Sequence, residues 1–363
     1  MLNYFGHQYY LSFLKSKVYD TGGNNNGRLD PGETATLTAF LKNIGGLSFT
    51  NLTSTLSTTS SYITITDNSG TFGTLLIDST KENSADRYGV QVRSNCPLGH
   101  KAPFRIIATQ SAWADTFDFQ LQVGSVPPSD TGRYYSYYSG GPWQQCPVYS
   151  WFPIDTSQTA NQGVSLNPGD DQTFVINLPF TFKYYGNNYT QVSICSNGWV
   201  VLGSTTLATY INTVLPSTGA PPAVVCGIWD DLYPPAAGPG DVYYFNDVAR
   251  HRFVVEWFKV EHLSMSGYPE TFEIILYDPA YYPTPTGDGE IIVQYKEPMH
   301  LTSNTVGMQN ASQNIGIQYY YEGTYHADAI PITASFAIKY TTWPPTMLSI
   351  GDNNTNRIVR PLI

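Results

Sequence analysis

The sequence is dominated by a two-residue alternation of apolar and polar side chains, the pattern that a half-buried β-strand requires. In its clearest example, the segment 116–123, four polar residues alternate with Phe117, Phe119, Leu121 and Val123. Because successive strand side chains point to opposite faces, one face packs on a core and the other meets water. No helix of normal length is predicted anywhere in the chain.

Similar strand-like segments cover most of the sequence before residue 126 and are separated by turn-rich gaps. They lie at 11–19, 35–42, 62–66, 88–93 and 104–109. About seven short strands at this spacing predict an immunoglobulin-like β-sandwich, although the Cys…Trp…Cys pattern of antibody domains is missing. Pro127 and Pro128 are excluded from a central ladder, so the first domain is expected to cover residues 1–126.

The remaining chain predicts a larger β-sandwich over residues 127–345. Apolar residues alternate over 174–184, where Pro179 is expected to kink the strand or place it at a sheet edge. The segment 252–260 is apolar on both faces near its middle and is expected to be a central strand. The segment 346–363 is too short to fold alone and is a candidate pairing strand. The predicted fold class is all-β, with two tandem antiparallel β-sandwiches, the first immunoglobulin-like.

Composition restricts the class of protein further. Only 13% of residues are charged, and 28 tyrosines accompany 31 glycines and 25 prolines. This profile excludes a coiled coil and a disordered chain. The net charge of −10 without a basic cluster argues against nucleic-acid binding, and no apolar run is long enough to span a membrane. An extracellular, secreted protein is expected, and the missing signal peptide is interpreted as a processed or partial chain.

The strongest local motif is the segment 20–33, DTGGNNNGRLDPGE. On the EF-hand pattern, Gly27 takes the invariant turn position. The predicted Ca²⁺ ligands are Asp20, Asn24, Asn26, Arg28 (through its carbonyl), Asp30 and Glu33. Gly22 stands where an aspartate is normally required, so Asp20 would have to reach in. The alternative is a polar Asx-type turn, because Asn, Asp and Gly dominate turns for conformational reasons.

A second acidic motif places Asp230 and Asp231 at the end of a strand. With Asp241 they would bind a cation or a sugar, and the alternative is that they end the strand in a solvated loop. No nucleophile elbow, HExxH motif or phosphate loop is present, and the chain is predicted not to be an enzyme. His251 and His262 bracket a strand-like run and are expected to be satisfied surface or core histidines.

The cysteines and tyrosines leave alternatives open. Cys96, Cys146, Cys195 and Cys226 show no zinc-binding spacing, and Cys195 and Cys226 either pair across neighbouring strands or stay as buried thiols. Clustered tyrosines serve either a contact surface, such as one that stacks on carbohydrate, or only β-propensity. Four Asn-x-Ser/Thr sites, beginning at Asn51, Asn188, Asn310 and Asn353, permit glycosylation.

Several of these segments resemble known families. The segment 24–45 resembles the opening of CARDB-like, immunoglobulin-type adhesion modules of secreted bacterial and archaeal proteins. The segments 178–186, 195–200 and 228–232 resemble nidogen-like β-domains. Similar domain pairs, including stretches like 277–290, follow the catalytic domain of gingipain-like cysteine peptidases. That family's nucleophile and base correspond to no residue here.

These observations predict a non-catalytic extracellular structural protein. It would self-associate into a cell-surface fibre or layer, with a terminal strand completing the sheet of the next subunit. The alternatives are an accessory or binding module of a secreted peptidase and a carbohydrate-binding adhesin. The predicted partners are further copies of the chain and glycans.

Overall fold

The computed structural model describes residues 8–23, 25–131, 133–159, 163–236 and 238–346. Within these ranges the chain forms β-strands and one helical element, the 3₁₀ turn Val248–Arg250. No helix there is long and apolar enough to cross a membrane. The chain divides into two compact units, residues 1–126 and residues 127–363. The segment 347–363, which holds most of the predicted pairing strand, lies outside the described residues.

In the part of the first unit that the structure describes, nine strands form two antiparallel sheets. They are β1 (Leu11–Tyr19), β2 (Thr34–Asn43), β3 (Phe49–Thr58), β4 (Ile63–Asp67), β5 (Ser69–Leu75), β6 (Thr80–Glu82), β7 (Tyr88–Val92), β8 (His100–Gln110) and β9 (Trp113–Val123). One sheet has the order β1-β2-β7-β4, with β6 beside β2, and the other has the order β5-β3-β8-β9. Buried side chains such as Leu37 and Ile106 form one core.

The strand order of this unit is that of a constant-type immunoglobulin sandwich, whose sheets are ABED and CFG. Strands β1, β2, β3, β4, β7, β8 and β9 take positions A to G, and β5 and β6 are inserted between D and E. The alternation predicted for β9 is confirmed, since its side chains are exposed and partly buried in turn up to Val123. The predicted all-β sandwich fold is therefore confirmed.

The described residues of the second unit form fifteen strands in two larger antiparallel sheets. They are β10 (Tyr135–Tyr138), β11 (Val164–Ser165), β12 (Thr173–Tyr184), β13 (Asn187–Cys195), β14 (Trp199–Leu202), β15 (Val224–Trp229), β16 (Leu232–Tyr233), β17 (Asp241–Asp247), β18 (Arg252–His262), β19 (Met265–Tyr277), β20 (Ile291–Glu297), β21 (Thr305–Gln309), β22 (Gly316–Tyr321), β23 (Thr324–Tyr325) and β24 (Phe336–Thr341). One sheet has the order β10-β24-β20-β19-β18-β17-β11, with β16 beside β18, and the other has the order β12-β13-β14-β15-β21-β22-β23.

Two sequence predictions are confirmed in this unit. Strand β12 lies at a sheet edge, and its pairing with β13 is interrupted between Asn177 and Phe182, around Pro179. Strand β18 is central, between β17 and β19, and its first six residues are buried. Both outcomes follow from residue chemistry, because proline cannot donate to a central ladder and a strand covered on both faces is apolar throughout.

Several tyrosines are buried and donate their hydroxyls to backbone carbonyls. The hydroxyl of Tyr295 in one sheet donates to the carbonyl of Gly227 in the other at 3.0 Å. Tyr184 donates to the carbonyls of Val224 and Gln309, each at 3.1 Å. A buried phenol needs such a partner, so Tyr295 and Tyr184 contribute to the core, whereas a contact surface formed by exposed rings such as Tyr281 stays a prediction.

All four cysteines are buried thiols. Cys195 lies on β13 and Cys226 on β15, and β14 separates the two strands. Of the two alternatives for Cys195 and Cys226, the buried thiols are confirmed, and pairing across neighbouring strands is wrong. Two strand spacings amount to roughly 9.6 Å, beyond the ~7 Å that a disulfide tolerates between Cα atoms.

Candidate functional site

The adjacent residues Asp230 and Asp231 follow β15 and turn to different neighbours. Asp230 lies 13% exposed beside the buried ring of His262, with its Oδ2 atom 3.3 Å from His262 Nδ1. The same oxygen accepts a hydrogen bond from the Ser303 hydroxyl at 2.5 Å. Asp231 turns instead towards two further aspartates. The two carboxylates therefore belong to two separate polar clusters.

The inner cluster is a buried chain of three ionisable side chains. His262 Nε2 lies 3.1 Å from Oε1 of Glu270, which is fully buried. The Glu270 carboxylate also accepts the backbone N–H groups of Met299 at 2.8 Å and His300 at 2.6 Å. The β18–β19 ladder is irregular on both sides of Val260, and such irregularities re-aim strand side chains. The imidazole is thus held between two carboxylates.

The protonation of this inner cluster follows from its contacts. Burial alone would lower the pKa of His262, but hydrogen bonds to Asp230 and Glu270 outweigh it and raise the pKa to about 9. Burial likewise opposes ionisation of Asp230, yet the bonds from His262 and Ser303 lower its pKa. At neutral pH an imidazolium therefore lies between two carboxylates.

The inner cluster lacks the geometry of a catalytic triad. Both ring nitrogens of His262 donate to carboxylates, so neither has a lone pair for taking a proton. Ser303 donates to Asp230 and not to the histidine. The inner cluster instead ties the end of β15 and the end of β18 to strand β19. His262 is the satisfied core histidine that was expected.

The outer cluster consists of Asp170, Asp171 and Asp231. Their carboxylate oxygens lie within 4.8 Å of one another, and this is the one such group of three in the described part of the chain. Asn197 donates its Nδ2 to Asp171 at 2.7 Å. Burial and the neighbouring charges of Asp171 and Asp170 raise the pKa of Asp231. These are the residues that could hold a divalent cation, which would require further oxygens.

Asp241 does not join this cluster, contrary to the sequence expectation. Its Oδ2 atom accepts the Ser165 hydroxyl at 2.5 Å, and its Oδ1 atom accepts the Asn167 N–H at 2.9 Å. It therefore ties the segment around β11 to the start of β17.

In the predicted calcium loop, the side chains bond mainly to loop amides. Asp20 accepts the N–H groups of Asn26 at 2.7 Å and of Gly27 at 3.1 Å. The amide of Asn26 donates to Asp30 at 2.7 Å, and Glu33 accepts the N–H of Asp30 at 3.1 Å. These bonds are typical of the alternative Asx-type turn, and the described carboxylates of the loop form no group as close as the outer cluster.

The remaining predicted ligands of the loop are Asn24 and Arg28. Asn24 lies outside the described residues. The amide of Arg28 donates to the Asn26 side-chain oxygen at 2.8 Å. The next residue, Leu29, is fully buried, and its carbonyl accepts the N–H of Gly124 at 2.6 Å. The loop is thereby anchored beside the end of β9, and Ca²⁺ binding stays a prediction.

Calcium binding at the loop predicts a measurable stabilisation. After chelation, Ca²⁺ at about 100 times its Kd is expected to add roughly 2.7 kcal/mol to the free energy of unfolding. Calorimetric titration and thermal melts measure it. Asp30→Asn is expected to abolish the effect, whereas the matched change Asp171→Asn in the outer cluster leaves it intact. A Tm unchanged by Ca²⁺ would contradict the prediction, and the reverse pattern would move the ion to the outer cluster.

A pair of buried glutamates lies on the outer face of the sheet that contains β18 and β19. Glu256 of β18 is directly opposite Glu273 of β19. Glu256 accepts the N–H of Ile154 at 2.8 Å, and Gln294 donates to Glu273 at 2.5 Å. Burial is the main cause that raises the pKa of Glu256 to about 8. This pair fastens the segment before β11 onto the sheet.

Fold and site together define an all-β protein whose buried ion network lies in its larger sandwich. The model of the NIDO related family matches residues 148–346, more than half of the chain, and the chain belongs to this family. The nidogen-like resemblance of the second domain is confirmed. No curated protein sequence matches the chain. The segments 195–200 and 228–232 that carried the resemblance form the turn and strand end beside Asp230.

Sequence reasoning identified Asp230 and Asp231 but missed their neighbours. Asp170 and Asp171 precede β12, and Glu270 lies within β19. No local motif marks these residues, because the clusters are assembled by strands that are distant in the sequence. A charged residue inside an otherwise apolar strand, such as Glu270, is the one signal that could have pointed to a buried partner.

Proposed function

We propose that this chain is a non-catalytic, extracellular structural protein that self-associates by strand pairing into a cell-surface fibre or layer. The observation that carries the proposal is one long, regular sheet edge in the first unit, formed by β9. Edge strands present unpaired backbone groups, and proteins usually protect them.

The other edges of the four sheets have recognisable protection. Strand β1 carries Lys15 and Lys17 and has a bulge, while β12 contains Pro179. Strands β4 and β5 pair with register shifts, and β10, β11 and β23 have only four, two and two residues. Lysines, prolines, bulges and short length all discourage pairing with another chain.

Strand β9 has none of these features, and its one protective element is Asp115, whose charged side chain lies on the core side of the strand. It pairs with β8 over eleven residues without a register shift and contains no proline or lysine. Four side chains on its core side are only partly buried, namely Trp113, Phe117, Phe119 and Leu121. Val123 is fully buried, and there Leu29 lies beside it. Among the described residues, Leu29 is the only backbone neighbour on the open side of β9, so most of this edge leaves the core incompletely covered.

Other observations support the remaining parts of the proposal. The sequence has no catalytic motif, and the polar groups around His262 are bonded to one another. Low charge and membership of the NIDO related family favour an extracellular location. Asn51 and Asn188 are exposed and would be accessible to glycosylation; these points do not depend on the edge.

The second candidate is an accessory module of a secreted peptidase. The CARDB-like segment 24–45 lies in a unit with immunoglobulin strand order, followed by a nidogen-like domain, and this favours the gingipain-like arrangement. Mass spectrometry of the native protein tests it. Peptides from a catalytic domain in the same polypeptide would support the accessory role, and a mature protein that lacks them would exclude it.

The proposed self-association predicts a clear effect of one proline at the β9 edge. Thr116→Pro is expected to prevent assembly, because proline cannot donate a hydrogen bond to an added strand. The β8–β9 hairpin is expected to remain intact, because the Thr116 N–H donates to the adjacent Asp115 carboxylate at 2.8 Å and not to β8. Thr116→Val keeps the N–H and is expected to assemble normally. Light scattering and negative-stain microscopy measure the result. If both variants assemble like the parent chain, the edge is not the contact.

A further inference from the structure

We infer that the open edge of β9 is the acceptor for the C-terminal segment 354–363 of a second copy of this chain. The inference rests on the proposed function and names the partner of that edge. Each contact would be head-to-tail, because the β9 edge of one copy would bind the C-terminal segment of another. Such contacts produce open fibres when they do not close into a ring.

The hydrogen-bonding groups that the segment would meet follow from the β8–β9 hairpin. Its two-residue loop closes between Gln110 and Trp113, and Ser111 has the positive φ of 52° that a type II′ turn requires. Odd-numbered residues of β9 then bond to β8, and even-numbered residues point their N–H and C=O outward. Gly124, whose N–H reaches Leu29, obeys this rule. Residues 114–120 are thus available for a new strand.

An apolar slot runs beside these groups. The ring of Phe13 in β1 stacks on Phe119 at 5.0 Å and on Phe117 at 6.3 Å between centroids. All three rings are partly exposed. They lie where the edges of the two sheets of the sandwich meet. An added strand that presents apolar side chains at alternate positions would bury them, so the slot favours an apolar occupant.

The charge of the edge favours an occupant with basic residues. Asp115 lies partly exposed between Trp113 and Phe117 on the core side and has no cationic partner among the described residues. Asp118 is on the opposite face, 2.7 Å from the exposed guanidinium of Arg105. Strand β9 carries no basic residue. A complementary strand would therefore bring a cation to Asp115.

The segment 354–363, NTNRIVRPLI, has both properties. Arg357 and Arg360 are the only basic residues after Lys339, and they are three positions apart, like Asp115 and Asp118. The spacing of the two arginines matches that of the two aspartates whether the added strand runs parallel or antiparallel to β9. The apolar residues of the segment are Ile358, Val359, Pro361, Leu362 and Ile363. Pro361 has no N–H to donate to a ladder, so residues 354–360 would form the pairing strand, and these seven residues are as long as the available part of β9.

Two other occupants fit less well. A second copy of β9 would bring Asp115 and Asp118 of both chains to one ladder, and like charges across strands are destabilising. The segment 1–7, MLNYFGH, contains no lysine or arginine to meet Asp115.

The first test adds a synthetic peptide of sequence 354–363 to the assembled full-length chain. The peptide is expected to lower the molar mass measured by light scattering, since it competes for the edge. The same peptide with both arginines replaced by aspartate is the matched control and is expected to have no effect.

The second test exchanges charges in the full-length chain. The edge change Asp115→Lys with Asp118→Lys and the tail change Arg357→Asp with Arg360→Asp are each expected to weaken assembly at least tenfold in Kd. Their combination is expected to restore it. Rescue excludes misfolding as the cause, because a misfolded variant would not recover through a second change in another part of the chain.

The outcomes separate the inference from the proposed function. Assemblies that resist the peptide and the tail change would overturn the inference and leave self-association standing. A monomeric chain that binds the labelled peptide would retain the acceptor edge and overturn the proposed function. A monomeric chain that does not bind the peptide would overturn both.

Discussion

His262→Gln is expected to lower the free energy of unfolding by about 3–5 kcal/mol, the usual result of removing one member of a buried ion cluster. The substitution leaves the Glu270 carboxylate, which is fully buried, without its cation, and Asp230 loses the same contact. Glutamine can still donate a hydrogen bond, so the loss reports the missing charge. Urea or guanidinium unfolding measures it.

The pH dependence of the parent chain gives an independent measure of the same cluster. The pKa of His262 rises from 6.5 to about 9 on folding. Its contribution is fully present below pH 6.5 and is lost as the pH rises through 9. The shift corresponds to about 3 kcal/mol. His262→Gln should therefore remove the contribution of His262 within this window, whereas Glu256, whose pKa burial raises to about 8, keeps its own.

His326→Gln is the matched control. His326 is exposed, and its ring accepts the N–H of Asp328 at 3.2 Å. Its replacement is expected to change stability by less than about 0.5 kcal/mol. Equal effects of the two substitutions, or an unchanged pH profile in His262→Gln, would show that the cluster does not hold the strand ends together.

Gly198→Ala is expected to destabilise the fold by more than about 4 kcal/mol or to prevent folding. Gly198 has φ +79°, and a Cβ there would lie 1.7 Å from the carbonyl oxygen of Ile228. Its own carbonyl accepts the N–H of Gly227 at 3.0 Å. Since the obstacle is backbone, side-chain rearrangement cannot relieve it. Thermal or chemical unfolding measures the loss.

Gly323→Ala separates the two causes. Gly323 has nearly the same φ, +82°, but a Cβ at this position would have no neighbouring atom within 4 Å. The substitution is expected to cost only about 1–2 kcal/mol, the ordinary penalty of left-handed backbone for alanine. If both alanine variants lose the same stability, close approach is not the reason for glycine at position 198.

Strand β9 was predictable from the sequence, whereas strand β3 was not. The alternation in β9 is visible because Phe117 and Phe119 alternate with polar residues. Strand β3 was missed because the buried Ser54 interrupts its apolar pattern. Ser54 is within 2.5 Å of the Tyr88 hydroxyl of β7, a contact that no local pattern shows. Buried polar residues depend on distant partners, which sequence periodicity cannot supply.

The candidate site was predictable to a similar extent. The paired aspartates after β15 are conspicuous, but the residues that give each a role lie on other strands. Asp241 was wrongly grouped with them because it is near in sequence. The tyrosine excess gave two interpretations, and the hydroxyl contacts show only which rings, such as Tyr184, belong to the core. The match to the NIDO related family fixes the type of domain, whereas assembly depends on an edge that belongs to the other unit.

The molar mass of the full-length chain as a function of concentration tests the central proposal most directly. Sedimentation velocity of the parent chain is expected to show species that grow with concentration beyond the monomer mass of 40.2 kDa. Thr116→Pro, measured beside it, is expected to stay at the monomer mass. A parent chain that remains at 40.2 kDa at every concentration would contradict self-association through strand pairing.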